Sequence, residues 1–106
     1  MSKNMLIVIF NLKKGVSEKD YENWAIKEDV PIVSGLTSVS EYKVYRSLGI
    51  FGSEESPPYR YIEMIAFSDL DQFTSDISSE KKMDGIVKKF QSFADNPIFM
   101  ITEAFA

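Results

Sequence analysis

The segment Tyr59-Arg-Tyr-Ile-Glu-Met-Ile-Ala-Phe67 decides the fold. It is rich in aromatic and β-branched residues and is apolar on both faces apart from Glu63, which predicts a strand buried inside a sheet. The stretch from Thr37 to Leu48 is more polar and alternating, as is typical of an edge strand. Between them, Gly49 to Pro58 is rich in Gly, Ser, Glu and Pro and predicts a mobile loop. We therefore expect the two strands to form a hairpin in the middle of the chain.

On the N-terminal side of this hairpin lie one strand and one helix. The continuous apolar run from Met5 to Phe10 predicts a buried strand. A capping-box pattern beginning at Ser17 predicts a helix from about Glu18 to about Glu28. Its inner stripe comprises Tyr21, Trp24, Ala25 and Glu28. Pro31 argues against an uninterrupted helix beyond that point, so we expect Asp29 to cap a short extra turn before Gly35.

The C-terminal side repeats the pattern. Asp69 with Gln72 three residues later predicts a helix start, with Leu70, Phe73 and Ile77 facing inward. A second helical segment then shows apolar residues at Met83, Ile86, Val87 and Phe90. Asp95-Asn96-Pro97 predicts a turn, and Ile98 to Phe105 a last strand. The order β-α-β-β-α-β predicts an α+β, ferredoxin-like fold with a four-stranded antiparallel sheet, formed by residues 1–106 as a single domain.

The composition excludes several kinds of chemistry. The 106 residues include no cysteine and no histidine, which excludes thiolate nucleophiles, Ser–His catalysis, zinc sites built on these residues and a histidine-held haem. There is no GxGxxG, P-loop, GxSxG or metal-spaced carboxylate cluster, so we expect no cofactor and no metal. Acid–base chemistry near neutral pH would then need a carboxylate, Tyr or Lys with a shifted pKa.

The charge balance excludes some partners. The net charge of −4 argues against nucleic acid and against anionic membrane surfaces. No apolar run reaches 18 residues, and the run from Met5 to Phe10 is too short for a convincing signal peptide. We expect a cytoplasmic protein.

The predicted strands carry apolar residues on both sides, although helices cover only one face of such a sheet. Exposure of the second face would exceed the apolar patch that monomers usually tolerate. We therefore expect a homodimer in which two sheets pack face to face. The alternative is a monomer in which the long loop, or a different partner, covers this face.

Glu63 is the first candidate for chemistry, because a charge in the middle of an apolar strand is costly unless it is paired. If Leu48 lies opposite Tyr59 in the hairpin, Val44 faces Glu63 and Arg46 faces Tyr61. Tyr42, Arg46, Tyr61 and Glu63 would then share one face and could orient a polar ligand and move a proton. A register shifted by one residue would instead bring Lys43 and Tyr45 to Glu63. The competing interpretation is a buried ion pair of Glu63 with Arg or Lys and no ligand.

Two further residues have competing interpretations. Trp24, the only tryptophan, is either a core residue or part of a pocket wall. Asp29, which lies just before Pro31, is either a helix cap or a catalytic group.

Two stretches resemble the dimeric α/β-barrel superfamily. The first is Trp24-Ala-Ile-Lys-Glu-Asp29-Val-Pro31, and the second is Val39-Ser-Glu-Tyr42-Lys-Val44-Tyr45-Arg46, which has a V-x-x-Y-x-V-x-R pattern. The apolar strand that ends at Phe67 continues the likeness. Within the superfamily, the chain is most similar to the REDY-like, or HapK, family.

This resemblance implies a homodimeric barrel and a role in making prodigiosin-type tripyrrole pigments. It implies a cofactor-independent enzyme or helper that acts on a small molecule, a bipyrrole-pathway intermediate, by condensation or cyclisation. By position, the pocket candidates are Trp24, Asp29, Tyr42, Tyr45, Arg46, Tyr61 and Glu63. Among these, we expect Glu63 to act as general acid or base with Arg46 and Tyr45, while the other four bind substrate. Superfamily mechanisms that use histidine cannot apply to this chain.

Two other functions remain open. One is a cofactor-free monooxygenase of aromatic substrates. The other is a non-catalytic module that binds a pathway intermediate. Haem degradation ranks last among these functions, because the chain has no histidine to hold the iron.

Overall fold

The computed structural model describes residues 4–106 and has the predicted order of strands and helices. The elements are β1 (Asn4–Leu12), α1 (Glu18–Trp24), a π-helical segment (Ala25–Asp29), α2 (Val30–Ser34), β2 (Val39–Arg46), β3 (Tyr61–Phe67), α3 (Leu70–Ser79), α4 (Lys81–Phe93) and β4 (Ala94–Glu103). The strands form one antiparallel sheet in the order β2-β3-β1-β4. This arrangement confirms the ferredoxin-like fold and the edge position of β2.

The sequence predicted that the first helix ends before Pro31, but the first helical region continues past this residue. Helical backbone runs from Glu18 to Ser34 through the π-helical segment. We attribute this continuity to the wider π-helical turn, which relieves the clash between the Pro31 ring and the carbonyl of Lys27 that a regular α-helix would impose. Asp29 has helical backbone angles and makes no capping hydrogen bond, so its prediction as a helix cap was wrong.

The π-helical segment also changes which residues face the sheet. The sequence placed Glu28 on the inner stripe, but Glu28 is exposed and Asp29 is buried. A π-helix needs more residues per turn than an α-helix. The inner stripe that begins at Tyr21 therefore reaches the sheet one residue later than 3.6-residue periodicity predicts.

The hairpin register agrees with the sequence prediction. Val44 lies opposite Glu63 and Arg46 lies opposite Tyr61. Residues that face each other across an antiparallel pair point to the same side of the sheet. Tyr42, Val44, Arg46, Tyr61 and Glu63 therefore lie on the side that the helices cover, which we call the helix face.

The prediction of a turn at Asp95-Asn96-Pro97 is wrong. These residues belong to β4, and the pairing of β1 with β4 shifts register between Ile9 and Asn11. Asn96 has a φ of 46°, which asparagine tolerates better than most residues. The turn-forming residues thus form a bulge in an edge strand, where Pro97 is also tolerated.

Aromatic side chains dominate the core between the helix face and the helices. The ring of Tyr21 lies 5.5 Å from that of Phe10 and 4.8 Å from that of Tyr61, and all three residues are buried. Leu70, which was predicted to point inward, is instead exposed, and so is Val87 of the apolar repeat. Leu70 is the first residue of α3.

A buried carboxylate fixes the connection between α2 and β2 against α3. Asp76 accepts hydrogen bonds from the backbone and hydroxyl of Ser38 at 3.1 and 2.7 Å, from Thr37 at 3.2 Å and from Gln72 at 2.7 Å. The hydrogen bonds from Ser38 and Gln72, the strongest influences, hold the Asp76 pKa below its usual value. This anchor positions Phe73 and Ile77, which line the cavity described below.

The second side of the sheet, which we call the open face, is apolar at its centre. Its central residues are Met5, Ile7 and Ile9 on β1, Ile62, Met64 and Ala66 on β3, and Ile98 and Met100 on β4. None of these eight side chains is fully buried in the isolated chain. Across residues 4–106, no helix combines the length and apolarity needed to cross a membrane.

Candidate functional site

A cavity of about 200 Å³ lies between the helix face and the helices that cover it. Its apolar lining residues are Leu6, Val8, Val33, Ile65, Phe73, Ile77, Met83, Ile86, Val87, Phe90 and Phe99. Its polar lining residues are Asp29, Tyr42, Glu63 and Gln91. Val87, Gln91 and Phe99 are exposed, and Phe99 is 56% accessible, so these three mark the mouth.

Glu63 lies in the middle of β3 and is only 4% exposed. Its Oε2 accepts a hydrogen bond of 3.1 Å from the Tyr21 hydroxyl on α1. Burial, and then the nearby charge of Asp29, raise the pKa of Glu63 to about 8, although the hydrogen bond from Tyr21 opposes the rise. Glu63 therefore retains a proton at neutral pH.

Asp29 reaches the same cavity from the π-helical segment and is 3% exposed. Its Oδ2 accepts a hydrogen bond of 2.6 Å from the Tyr42 hydroxyl on β2. Burial raises the pKa of Asp29 to about 6, and the Tyr42 hydrogen bond opposes that rise. π-helical insertions often occur at functional sites, and here the insertion places a carboxyl in the cavity.

The two carboxyls and two phenols form one connected cluster. Burial, with the charges of Glu63 and Asp29, raises the pKa of both tyrosines far above the usual value. Tyr21 and Tyr42 therefore remain hydrogen-bond donors. Two carboxyls that share a buried site cannot both ionise easily, so the pair holds one proton in the range where general acid–base catalysis works best. No metal site of three or more His, Cys, Asp or Glu residues occurs in the described part of the chain.

The structure brings together three of the seven predicted site residues. Glu63, Asp29 and Tyr42 all line the cavity. Arg46 does not pair with Glu63: it is half-exposed, and its Nε lies 3.6 Å from Oε2 of Glu22. Tyr61 donates a hydrogen bond of 2.7 Å to the same Glu22 oxygen. Arg46 and Tyr61 thus belong to a separate hollow of about 150 Å³.

Tyr45 and Trp24 also lie away from the cavity. Tyr45 is opposite Ile62 on the open face and is 47% exposed, because strand side chains alternate and the shifted register was not adopted. Trp24 is buried against Phe93, with ring centres 5.4 Å apart. The structure therefore supports the interpretation of Trp24 as a core residue.

The sequence did not reveal Tyr21 as the partner of Glu63, or the cavity wall contributed by α3 and α4. Tyr21 was placed on the inner stripe of the first helix, which is the one signal that it points towards the sheet. Its hydroxyl partner depends on how α1 lies across β3. Gln91, at the mouth of the cavity, follows the inward-facing Phe90, and no sequence pattern indicated that it belongs to the site.

Several solved structures share this fold. The crystal structure of HapK from Hahella chejuensis is 22% identical, with a TM-score of 0.74, and the match covers 97% of this chain and 94% of that one. The hydroxynitrile lyase from Passiflora edulis is 15% identical, with a TM-score of 0.79 and coverage of 96% and 93%. A dimeric ferredoxin-like protein from Thermobifida fusca is 11% identical, with a TM-score of 0.76 and coverage of 97% and 92%.

At these identities the structural likeness shows the fold alone. No curated protein is similar enough to this sequence to count as a match. The sequence model of the family described as REDY-like protein HapK matches residues 4–105. Because that match spans nearly the whole chain, this protein belongs to the REDY-like HapK family.

Proposed function

We propose that this protein is a cofactor-independent enzyme or helper in the biosynthesis of prodigiosin-type pigments, acting on a bipyrrole-pathway intermediate by condensation or cyclisation. Membership of the REDY-like HapK family supports the pathway. One observation carries the chemistry: the Glu63 carboxyl lines an apolar cavity, is almost fully buried and has a raised pKa. Such a group is suited to give and take a proton at neutral pH.

Glu63 is the proposed proton donor. In a condensation that forms a ring, the protonated carboxyl would transfer its proton to a carbonyl oxygen as the new bond forms. Its carboxylate would then take a proton from the attacking atom and, as the re-formed carboxyl, pass that proton to the new hydroxyl. The C–O bond would then break, water would leave, and a second proton from the attacking atom would return Glu63 to its protonated form. Asp29, with Tyr42 bonded to it at 2.6 Å, would favour the protonated form of Glu63 in the resting state. Arg46 and Tyr45, which lie outside the cavity, have no role in this scheme.

We also propose that the working form is a homodimer joined through the open face. The apolar centre of that face on β1, β3 and β4 supports this, because burying it removes apolar surface from water. The protein of similar fold from Thermobifida fusca, which is described as dimeric, supports a dimer.

Reconstituted pathway turnover tests the catalytic proposal. Glu63→Gln keeps the shape of the side chain and removes its titration, so turnover should fall by about 100-fold or more. Tyr45→Phe is the matched control, because Tyr45 lies on the open face, and it should retain turnover. Full activity of Glu63→Gln would remove Glu63 from the mechanism.

A second candidate is a non-catalytic module that holds a reactive intermediate. It is favoured by the lining of the cavity, which includes no serine, threonine or lysine that could act as a nucleophile. Stoichiometric binding without turnover would support this function. Oxygen uptake with a phenolic substrate would instead indicate a monooxygenase.

A further inference from the structure

We infer that the loop between β2 and β3 of one copy docks on the β4 edge of a second copy and closes the mouth of its cavity. This contact rests on the homodimer proposed above, but the packing of the two open faces does not require it. Each cavity is then complete only in the dimer, whether the protein is an enzyme or a binding module.

The loop over residues 47–60 presents three apolar side chains to water. Leu48 is 90% exposed, Phe51 is fully exposed, and Ile50 is also exposed; we call these three residues the loop tip. A turn with Gly52 at a φ of 80° follows them. A cluster of exposed apolar side chains is typical of an interaction surface.

Hydrogen bonds fix the base of this loop to the rest of the fold. The side chain of Asn11 on β1 donates to the carbonyl of Pro58 at 2.9 Å and accepts from the backbone of Arg60 at 2.9 Å. The Arg60 guanidinium donates to the carbonyl of Ser47 at 2.6 Å and pairs with Glu18 on α1 at 3.0 Å. A loop held in this way loses little conformational entropy when its tip binds.

A second apolar cluster lies on β4, at the other edge of the sheet from β2. Ile98, Phe99, Met100 and Ile101 are all exposed. Packing of the open faces would cover Ile98 and Met100, but Phe99 and Ile101 point to the helix face. Phe99 and the exposed Val87 of α4 also line the cavity mouth. A dimer joined through the open faces alone would therefore leave the mouth of each cavity in water.

The two clusters do not cover each other in a single chain, since both are exposed there. The strand order is β2-β3-β1-β4. When two such sheets stack about a two-fold axis parallel to the strands, the β2 edge of one copy meets the β4 edge of the other. Each loop tip then lies beside the partner's β4, and symmetry forms the same contact twice. An axis across the strands would instead bring like edges together and leave the loop tips exposed.

The loop is long enough for this contact. The strand pairings place Phe99 level with Val44, which is three residues before Ser47, or about 10 Å along the strand. Packed sheets lie about 10 Å apart, so the direct path is about 14 Å. The four residues from Ser47 to Phe51 span at most about 14 Å. The phenyl side chains of Phe51 and Phe99 extend this reach around the edge strand.

Charge argues against an anionic membrane as the surface that covers the loop tip. Residues 48–59 include Glu54 and Glu55 and no lysine or arginine. An anionic lipid surface would repel a loop of this composition. The β4 edge of a second copy instead offers apolar side chains that are themselves exposed.

Thiol cross-linking tests the contact directly, because the chain has no cysteine of its own. In the double variant Phe51→Cys with Phe99→Cys, a short bismaleimide should join two copies into a covalent dimer. The matched control is Phe51→Cys with Ser75→Cys, on the exposed side of α3, and it should give little covalent dimer. Equal yields from the two proteins would overturn the contact. A covalent dimer from Phe99→Cys alone would also overturn it, because like edges would then meet.

Closure of the mouth is tested by the reactivity of a thiol placed there. Gln91→Cys should react with a maleimide dye several-fold faster when Phe51→Ser is added, at a concentration where both proteins are dimeric. Phe51→Ser leaves the fold intact, because Phe51 is fully exposed in the single chain. Ser92→Cys, on the exposed side of α4, should react equally fast with and without Phe51→Ser. An unchanged rate at Gln91→Cys would mean that the loop does not close the mouth.

The strength of the dimer gives an independent measurement. Phe51→Ser should raise the dissociation constant of the dimer at least about tenfold, because two phenyl side chains leave the interface. Ile26→Ser, at an exposed apolar position of the π-helical segment, is the control and should leave the dissociation constant unchanged. Equal dissociation constants for Phe51→Ser and the parent protein would overturn the contact.

The proposals fail separately. A monomeric parent protein would overturn both the homodimer and the loop contact. A dimer without the cross-link between positions 51 and 99 would overturn the loop contact alone. Pathway turnover is measured independently and tests Glu63, which none of these substitutions changes.

Discussion

The hydroxyl of Tyr21 donates a hydrogen bond of 3.1 Å to Oε2 of Glu63 across 42 positions of sequence. It joins the first helix to the central hairpin strand beside the cavity. Tyr42 and Asp29 form a second pair of the same kind at 2.6 Å. The chemistry of the site depends on these two phenol–carboxyl pairs.

Stability should fall as the pH rises. Because the pKa of Glu63 is raised from 4.5 to about 8, the folded state binds more protons than the unfolded state between those values. The free energy of unfolding therefore decreases with pH in that window. From about pH 5.5 to about pH 8.5 we expect a loss of roughly 2–4 kcal/mol. Urea unfolding at fixed protein concentration measures this loss. An increase in the free energy of unfolding over this pH range would contradict the raised pKa of Glu63.

Glu63→Gln should remove most of the pH dependence of the free energy of unfolding. Glutamine does not titrate, so only the smaller contribution of Asp29 remains in the same pH window. At about pH 8.5 the variant should be more stable than the parent protein, because it removes a buried charge. Glu41→Gln, on the exposed edge strand, should keep the parent slope. If the slope of unfolding free energy against pH were unchanged in Glu63→Gln, other groups would cause the pH dependence.

Tyr21→Phe should destabilise the fold by about 1–2 kcal/mol, since it removes a buried hydrogen bond. It should also raise the Glu63 pKa further, because that hydrogen bond lowers the pKa. Urea unfolding and a carboxyl NMR titration measure the two effects. Tyr45→Phe is the control and should change neither, because Tyr45 lies on the edge strand β2, away from Glu63 and outside the apolar centre of the open face.

Asp29→Asn should lower the Glu63 pKa, because the charge of Asp29 helps to raise it. The same carboxyl titration measures the change. Asp71→Asn, on the exposed first turn of α3, should leave the Glu63 pKa unchanged. No effect of Asp29→Asn would mean that burial alone raises the Glu63 pKa.

Met64→Lys should dissociate the proposed homodimer. Met64 lies opposite Ile7 at the centre of the open face, where a lysine would be buried without a partner. Light scattering at micromolar concentration should give a dimer mass for the parent protein and a monomer mass for the variant. Ser75→Lys, on the exposed side of α3, should remain dimeric. A monomeric parent protein would contradict the assembly.

The fold was largely predictable because its strands and helices have different hydrophobic periods. The apolar segments of β1 and β3 and the 3.6-residue repeat around Met83 predicted the element order. The register of Glu63 followed from counting residues across the hairpin. The errors lie at Asp29 and Asn96, where one extra residue forms a π-helical turn or a bulge. Such insertions depend on the packing of the whole sheet.

The site was predictable only in part. Glu63 was conspicuous as a charge in an apolar strand, and Tyr42 followed from the same register. Arg46 was chosen because it shares the face of Glu63, but its side chain lies at the rim with Glu22. Tyr21 was missed as a partner because strand register does not reveal which helix residue lies above a given strand residue.

A site-specific carboxyl-¹³C NMR titration of Glu63 in the folded protein tests the central claim most directly. The proposed mechanism needs a protonated carboxyl in the cavity at neutral pH. We therefore predict that Glu63 titrates with a pKa of about 8. Titration of Glu63 near its ordinary value of 4.5 would contradict it, because an ionised Glu63 could not donate the proton on which the proposed mechanism depends.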